Sequence, residues 1–97
     1  MAFVYILYSK SADRFYVGST SLEPYSRLLK HLSLYYGNNK FTAKYKDWSL
    51  FYWFECDSLK QAFHIEKHIK RMKSKNYIKN LKRYPQIHVK LLVKFRK

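Results

Sequence analysis

The sequence predicts a single domain of the α+β class. Three short runs rich in β-branched and aromatic residues indicate strands. The segments between and after them carry helical periodicity and helix N-cap residues. The chain has 97 residues, 47% of them hydrophobic and 20% aromatic, so one domain can build a core without disulfides. We expect residues 1–97 to form one unit, with a basic C-terminal segment from about residue 74.

The strand-forming runs lie in two parts of the chain. Residues 3–8 and 14–18 flank a polar turn, as in a β-hairpin, and residues 49–55 form the third run. The Gly-Ser-Thr-Ser stretch at residues 18–21 is expected to break the sheet after the second strand.

The helical segments are predicted over about residues 22–36, 58–72 and 74–84. Ser58 is followed three residues later by Gln61, which is a capping-box pattern. Pro85 is expected to end the last of these helices. Residues 87–95 are apolar and basic, and their pattern leaves strand and helix both open.

The charge is strongly positive. Twenty Lys and Arg residues face six Asp and Glu residues, giving a formal net charge of +14. No acidic residue follows Glu66, and residues 67–97 hold twelve of the basic residues. Such a field attracts polyanions, and nucleic acid is the usual partner of a small basic domain. The candidate nucleic-acid-binding residues are those just after Glu66, namely Lys67, Lys70, Arg71, Lys73 and Lys75.

Other partners and locations are disfavoured by the sequence. No segment is long and apolar enough to span a bilayer, so no membrane partner is expected. The N-terminus lacks the basic region of a signal peptide, and Cys56 is the only cysteine. We therefore expect a cytoplasmic location, with neither a disulfide framework nor a cysteine-based zinc site.

The register of the hairpin decides where two tyrosines lie. If Tyr8 pairs with Asp13 across a four-residue loop, Tyr5 lies opposite Tyr16 on the same sheet face. Two adjacent phenols can bind a water molecule or a phosphate oxygen. They can equally form a cross-strand aromatic pair that only packs, and the pattern by itself favours that simpler interpretation.

Arg27 and His31 form a second candidate pair. Their i, i+4 spacing puts them on one face of the helix predicted over residues 22–36. A guanidinium binds phosphate oxygens in a fork, and an imidazole can transfer a proton, so the pair suits a phosphodiester. The alternative is an ordinary solvated helix face.

Glu66 is the most informative single residue. The apolar stripe of its predicted helix consists of Leu59, Ala62, Phe63, Ile65 and Ile69, and Glu66 falls within that stripe. A carboxylate there is costly unless it is paired or binds a metal. A magnesium site with one carboxylate and several waters is chemically normal. A salt bridge with Lys70 or Arg27 is the competing interpretation.

Taken in order along the chain, these residues resemble the GIY-YIG nuclease family. The order is Phe3-Val4-Tyr5, then Tyr16-Val17-Gly18, then Arg27 with His31, then a helical Glu66. The resemblance spans about residues 3–84 and is closest to compact, single-domain bacterial members. It implies a central three-stranded antiparallel sheet flanked by helices.

The resemblance also implies an activity, which is metal-dependent hydrolysis of DNA phosphodiester bonds by an endonuclease. By analogy Glu66 holds one divalent metal, most simply Mg²⁺ with Mn²⁺ as a substitute, and Tyr5 or Tyr16 deprotonates or orients the attacking water. Arg27 stabilises charge on the phosphate, and His31 assists proton transfer. No small-molecule cofactor is implied.

The chain departs from the family pattern at a few positions. Phe3 and Val4 stand where the first motif has Gly and Ile, and Val17 replaces Ile in the second. Ser19 occupies a position at which some relatives carry Lys. A second hypothesis follows: a nucleic-acid-binding module that retains the nuclease fold without catalysis. A carboxylate at position 66 favours the enzyme, because it would repel phosphate unless a cation intervenes.

Overall fold

A computed structural model describes residues 2–21, 23, 24, 26 and 47–96 of the chain. In these residues a three-stranded antiparallel sheet comprises β1 (Ala2–Ser9), β2 (Arg14–Thr20) and β3 (Trp48–Cys56), in the order β2-β1-β3. The predicted fold class and sheet are confirmed. Most of the helix predicted over residues 22–36, and most of the loop after it, lie outside the described residues.

The hairpin register differs from the predicted one. Ser9 pairs with Arg14 and Tyr8 with Phe15, so the turn covers residues 10–13 instead of 9–12. Asp13 ends the turn in a left-handed conformation, φ 51°, which Asp tolerates better than most residues. Its carboxylate accepts a hydrogen bond from the Tyr8 hydroxyl at 2.9 Å. The pairing therefore shifts by two residues, which keeps every side chain on its predicted face.

The predicted break after the second strand is also wrong. β2 continues through Gly18 and Ser19 to Thr20, which pairs with Phe3. Because β1 begins at Ala2, its first residues need partners, and the Gly-Ser-Thr stretch supplies them. The residues that a local pattern assigns to a turn are thus held in the sheet by cross-strand hydrogen bonds.

Three helices follow β3 in the described chain: α1 (Leu59–Met72), α2 (Lys75–Arg83) and α3 (Gln86–Lys94). The first two were predicted. Ser58 caps α1 by accepting from the Gln61 amide at 3.1 Å, and Ser74 caps α2 in the same way. The ambiguous segment 87–95 is mainly helical.

The two faces of the sheet differ in what covers them. Successive residues of a strand point to opposite faces, and one face of β1 packs against α1 and the helices after it. The buried residues of that core are Ala2, Val4, Ile6, Val17, Phe54, Cys56, Ala62, Ile65, Ile69, Ile78, Leu81 and Leu91. Tyr5, Leu7 and Trp48 form a second buried cluster on the opposite face, with Tyr16 and Leu50 against it.

The predicted apolar stripe of α1 is only partly correct. Ala62, Ile65 and Ile69 are buried, together with Gln61, but the side chains of Leu59 and Phe63 are about half exposed. The Gln61 side chain can be buried because both of its polar atoms form hydrogen bonds. Its amide oxygen accepts from the Asp57 backbone amide at 2.6 Å, and its amide nitrogen donates to the Leu92 carbonyl at 2.9 Å. The helix face toward the sheet is therefore rotated relative to the prediction.

Asp47 ties the hairpin turn to the start of β3. Its carboxylate accepts from the Ser9 hydroxyl at 2.6 Å and from the amide and hydroxyl of Ser11 at 2.7 and 2.9 Å. These hydrogen bonds favour the ionised form, and they lower the pKa of Asp47 to about 2.

This carboxylate gives the fold a defined acid sensitivity. Because the pKa of Asp47 is lower in the folded than in the unfolded chain, its contribution to stability is present above about pH 4. That contribution is lost as the pH falls toward about 2. We expect Asp47→Ala to lower the Tm at pH 7, and the difference from the unsubstituted protein to shrink as the pH falls through that window. Thermal melts of both proteins from pH 2 to 7 test this, and a pH-independent difference would contradict it.

Candidate active site

The Tyr5 ring lies against Gly18 and leaves no room for a side chain there. They face each other across β1 and β2, and the Tyr5 side chain is fully buried. A Cβ atom placed on Gly18 would lie 2.4 Å from both Cζ and Oη of Tyr5, a distance that real contacts do not allow. Glycine is therefore required here by the Tyr5 ring. A lone glycine inside a strand pattern can signal such an approach, but the sequence suggested a strand end instead.

Tyr5 and Tyr16 lie on the same face of the sheet, as predicted, but they are not directly opposite each other. Tyr16 pairs with Leu7, so the two tyrosines are diagonal neighbours. Their ring centroids are 6.3 Å apart, with the planes tilted by 38°. Tyr16 is half-buried, whereas Tyr5 is inaccessible to solvent. Only Tyr16 of the pair therefore presents surface that a substrate could contact.

The Glu66 carboxylate is held by one partner on each oxygen. The Ser19 hydroxyl donates to Oε1 at 2.6 Å, and the Lys70 ammonium donates to Oε2 at 2.6 Å. The Glu66 side chain is 13% exposed and that of Lys70 is 49% exposed. The salt bridge with Lys70 was one of the two interpretations that the sequence left open. The bond to Ser19 was not predicted, since 47 residues separate the partners.

Glu66 and the tyrosines approach each other around the edge of the sheet. Ser19 pairs with Val4, whose side chain belongs to the core beneath α1, so Ser19 points away from the tyrosine face. β2 is an edge strand, however, and the Lys70 ammonium lies both on Glu66 and 5.7 Å from the centroid of the Tyr16 ring. The Lys70 ammonium thus lies between the Glu66 carboxylate and the Tyr16 ring. The site therefore straddles the β2 edge.

The same carboxylate has the chemistry of a cation site. A positively charged group, the Lys70 ammonium, is already bound to Oε2. Lys70 is half exposed and carried by a flexible stem, so it can move off. The Ser19 bond fixes the orientation of the carboxylate from its other oxygen. A divalent cation that keeps several waters needs no more than one such carboxylate, so the residues present fit the group that the family implies.

The remaining predicted residues are divided between the described and undescribed parts of the chain. Arg27 and His31 lie outside the described residues. Among the basic residues, Lys70, Lys73 and Lys75 line one surface cavity, which also includes Arg14 and Tyr16. Lys67 instead lies over the exposed Phe63 ring at 4.8 Å, and Arg71 is exposed elsewhere on α1. Arg14 was missed, because nothing in the sequence around the hairpin links it to the later lysines.

The described residues offer neither a metal site built from several side chains nor a membrane-spanning helix. They contain no group of three or more His, Cys, Asp or Glu side chains that could hold a metal ion. None of their helices has the length and apolar character needed to cross a membrane. Cys56 is buried, and desolvation raises the pKa of its thiol to about 11, so it is not a reactive thiolate near neutral pH.

Comparison with known families agrees with this geometry. The family model described as the GIY-YIG catalytic domain matches residues 1–84, which include β1, β2, β3, α1 and α2. No curated protein and no solved structure matches the chain. The helix α3 lies beyond the matched stretch but packs on the same core, through the buried Leu91. The match covers most of the chain and carries both tyrosine motifs and Glu66, and the protein is a member of the GIY-YIG nuclease family.

Proposed function

We propose that the protein is a metal-dependent endonuclease that hydrolyses DNA phosphodiester bonds. One observation carries the proposal: Glu66 is oriented by Ser19 and pairs with the Lys70 ammonium, which lies 5.7 Å from the centroid of the Tyr16 ring. Burial of a carboxylate costs folding free energy, so a mostly buried acid in a strongly basic protein indicates a functional role. The family match supplies the class of reaction.

The proposed mechanism assigns each described residue a role at the β2 edge. Glu66 would hold a divalent cation, most simply Mg²⁺, in the place that the Lys70 ammonium occupies. When bound, such a cation supplies Lewis-acid activation and stabilises the leaving oxygen. The Tyr16 hydroxyl, on the more accessible of the two rings, orients or deprotonates the attacking water. Tyr5 positions Tyr16 from its buried place over Gly18.

Arg27 and His31 complete the proposed mechanism on the basis of the family resemblance. The Arg27 guanidinium stabilises charge that builds on the phosphate, and the His31 imidazole transfers a proton to or from the reacting oxygens. Their variants test this directly. Arg27→Ala and His31→Ala are expected to bind DNA and to lose cleavage. Normal cleavage by either one would remove it from the mechanism.

The second candidate, a DNA-binding module without catalysis, also has an observation in its favour. The Glu66–Lys70 ion pair is a sufficient structural explanation for the acid, because it neutralises the carboxylate locally. Such a module gains nothing from fixing Glu66 through Ser19, however. A pair on the helix surface would form as well with a fully solvated glutamate.

The test is a cleavage assay on a panel of DNA substrates. Purified protein is incubated with supercoiled plasmid, linear duplex and branched DNA in Mg²⁺, in Mn²⁺ and in EDTA. We expect cleavage with either metal and none in EDTA. Binding of DNA without cleavage of any substrate in either metal would support the non-catalytic module instead.

The expected location is the cytoplasm, where DNA is available to a bacterial-type enzyme.

Binding to DNA is expected to depend steeply on salt. Displacement of counterions from duplex DNA lowers log K by about 0.9 per phosphate contact for each tenfold rise in salt. With about six contacts, affinity should fall about a thousandfold between 50 and 200 mM salt. Fluorescence anisotropy with a short labelled duplex in EDTA measures this without cleavage. A flat salt dependence would mean that the +14 charge serves something other than phosphate contact.

A further inference from the structure

A surface cavity of about 360 Å³ lies where the end of α1 and the start of α2 meet the outer edge of β2. Its inner wall is apolar and its rim is cationic. The wall comprises Phe15, Val17, Ile69 and Ile78, and the rim comprises Arg14, Lys70, Lys73 and Lys75. Tyr16 and Ser74 complete the lining. None of the described residues that line it is acidic.

The rim keeps a positive charge after its ion pairs are counted. Lys70 is paired with Glu66, and Lys75 with Asp13 at 2.9 Å. In the part of the chain that the structure describes, neither Arg14 nor Lys73 has a carboxylate partner. Two of the four cations are therefore uncompensated. An anion that enters the cavity meets them at close range, where the low dielectric of the apolar wall strengthens the attraction.

The backbone around the cavity adds to this field. Ser74 is the N-cap of α2, and the first turn of that helix carries no acidic residue. The positive end of the helix dipole thus points toward the rim. Lys73, the C-cap of α1, adopts a left-handed conformation with φ 49°. Glycine is the usual residue at such a cap, so the chain accepts a strained backbone there and presents a cation.

We propose that this cavity binds a phosphate of the DNA backbone that flanks the phosphate to be cut. The placement of this phosphate next to the one to be cut rests on the proposed function, whereas the phosphate site itself does not. Tyr16 belongs to both places, since it lines the cavity and lies next to the Lys70–Glu66 pair. A strand held by Arg14 and Lys73 is thereby aligned along the edge of β2. The Lys70 ammonium, once displaced from Glu66, becomes a third uncompensated cation of the rim.

Lys73→Gly is the sharpest variant for the test. It removes one cation, and glycine relieves the left-handed backbone at that position, so the fold is retained or stabilised. Lys60→Ala, on the exposed first turn of α1, is the matched control because it removes the same charge far from the cavity. Arg14→Gln serves as an independent second probe of the rim.

The measurements are the affinity and salt dependence of binding to a short DNA duplex in EDTA. For Lys73→Gly and Arg14→Gln we expect about tenfold weaker binding and a log–log salt slope smaller by about 1, with unchanged or higher Tm for the glycine variant. Lys60→Ala is expected to change affinity less than about twofold. Equal losses for all three variants would mean that only the general field acts, and would overturn the proposal.

The outcome is distinguishable from a failure of the proposed enzyme function. If the protein cuts no DNA but the two rim variants still lose binding selectively, the phosphate site stands and the catalysis does not. If the protein cuts DNA and the rim variants bind and cut normally, the enzyme stands and the phosphate site is refuted. Single-turnover cleavage at saturating DNA completes the comparison, because a flanking contact should affect mainly the concentration needed for half-maximal rate.

Discussion

Glu66→Gln is expected to reduce Mg²⁺-dependent DNA cleavage at least about a thousandfold while the fold and DNA binding persist. Glutamine has the same shape, and its amide oxygen can still accept the Ser19 hydroxyl bond that holds Oε1 of Glu66 at 2.6 Å. It has no charge, so it binds a divalent cation much more weakly than a carboxylate does. The ion pair that it loses involves a half-exposed lysine, and such pairs contribute only about 0–1 kcal/mol.

The measurements are cleavage, DNA affinity and thermal melting of one purified preparation. Glu55→Gln is the control, because Glu55 is an exposed acid on β3 and its replacement changes the net charge equally. Lys70→Gln gives a second comparison. If Glu66 is only a salt-bridge partner, the Glu66→Gln and Lys70→Gln proteins should lose stability to the same extent. Both should then keep their cleavage activity per folded molecule. Full cleavage by folded Glu66→Gln would refute the mechanism.

Gly18→Ala is expected to be the most damaging single-methyl change in the described part of the chain. The new Cβ would overlap the Cζ and Oη atoms of Tyr5, whose ring is fully buried and cannot swing into solvent. Overpacking of this kind typically costs about 1–3 kcal/mol in the free energy of unfolding. Displacement of Tyr5 also shifts Tyr16, its ring neighbour, and a misplacement of about 1 Å can cost about a hundredfold in rate.

Urea denaturation and single-turnover cleavage measure the two effects. A double-mutant cycle with Tyr5→Ala identifies the cause, since removal of the ring makes room for the methyl group. In that background Gly18→Ala should cost little further stability, although activity stays low because Tyr5 is absent. An equal cost of Gly18→Ala with and without the ring would show that the damage comes from the β2 backbone instead of from Tyr5.

The local pattern was sufficient to locate the three strands and the N-cap of α1. Ser58 accepts from the amide three residues ahead, as its capping pattern predicts, whereas the similar cap at Ser74 was not predicted. The observed hairpin pairing differs from the predicted one by two residues because Asp13 adopts a left-handed turn conformation. Hydrophobic periodicity does not predict such a conformation. Residues 18–20 were misassigned because glycine and serine favour turns locally, whereas the neighbouring strand holds them in the sheet.

By its order of motifs the sequence alone determined the family and the fold class, and it singled out Tyr5, Tyr16 and Glu66. Residue types and short spacings carry that information. The tertiary structure decided how residues from distant parts of the chain meet: Glu66 on Ser19, Lys70 beside Tyr16, and Arg14 with Lys73 around one cavity. Each of these contacts joins distant parts of the chain. They arise because α1 docks on the edge strand, an arrangement set by burial of its apolar face and invisible to any local pattern.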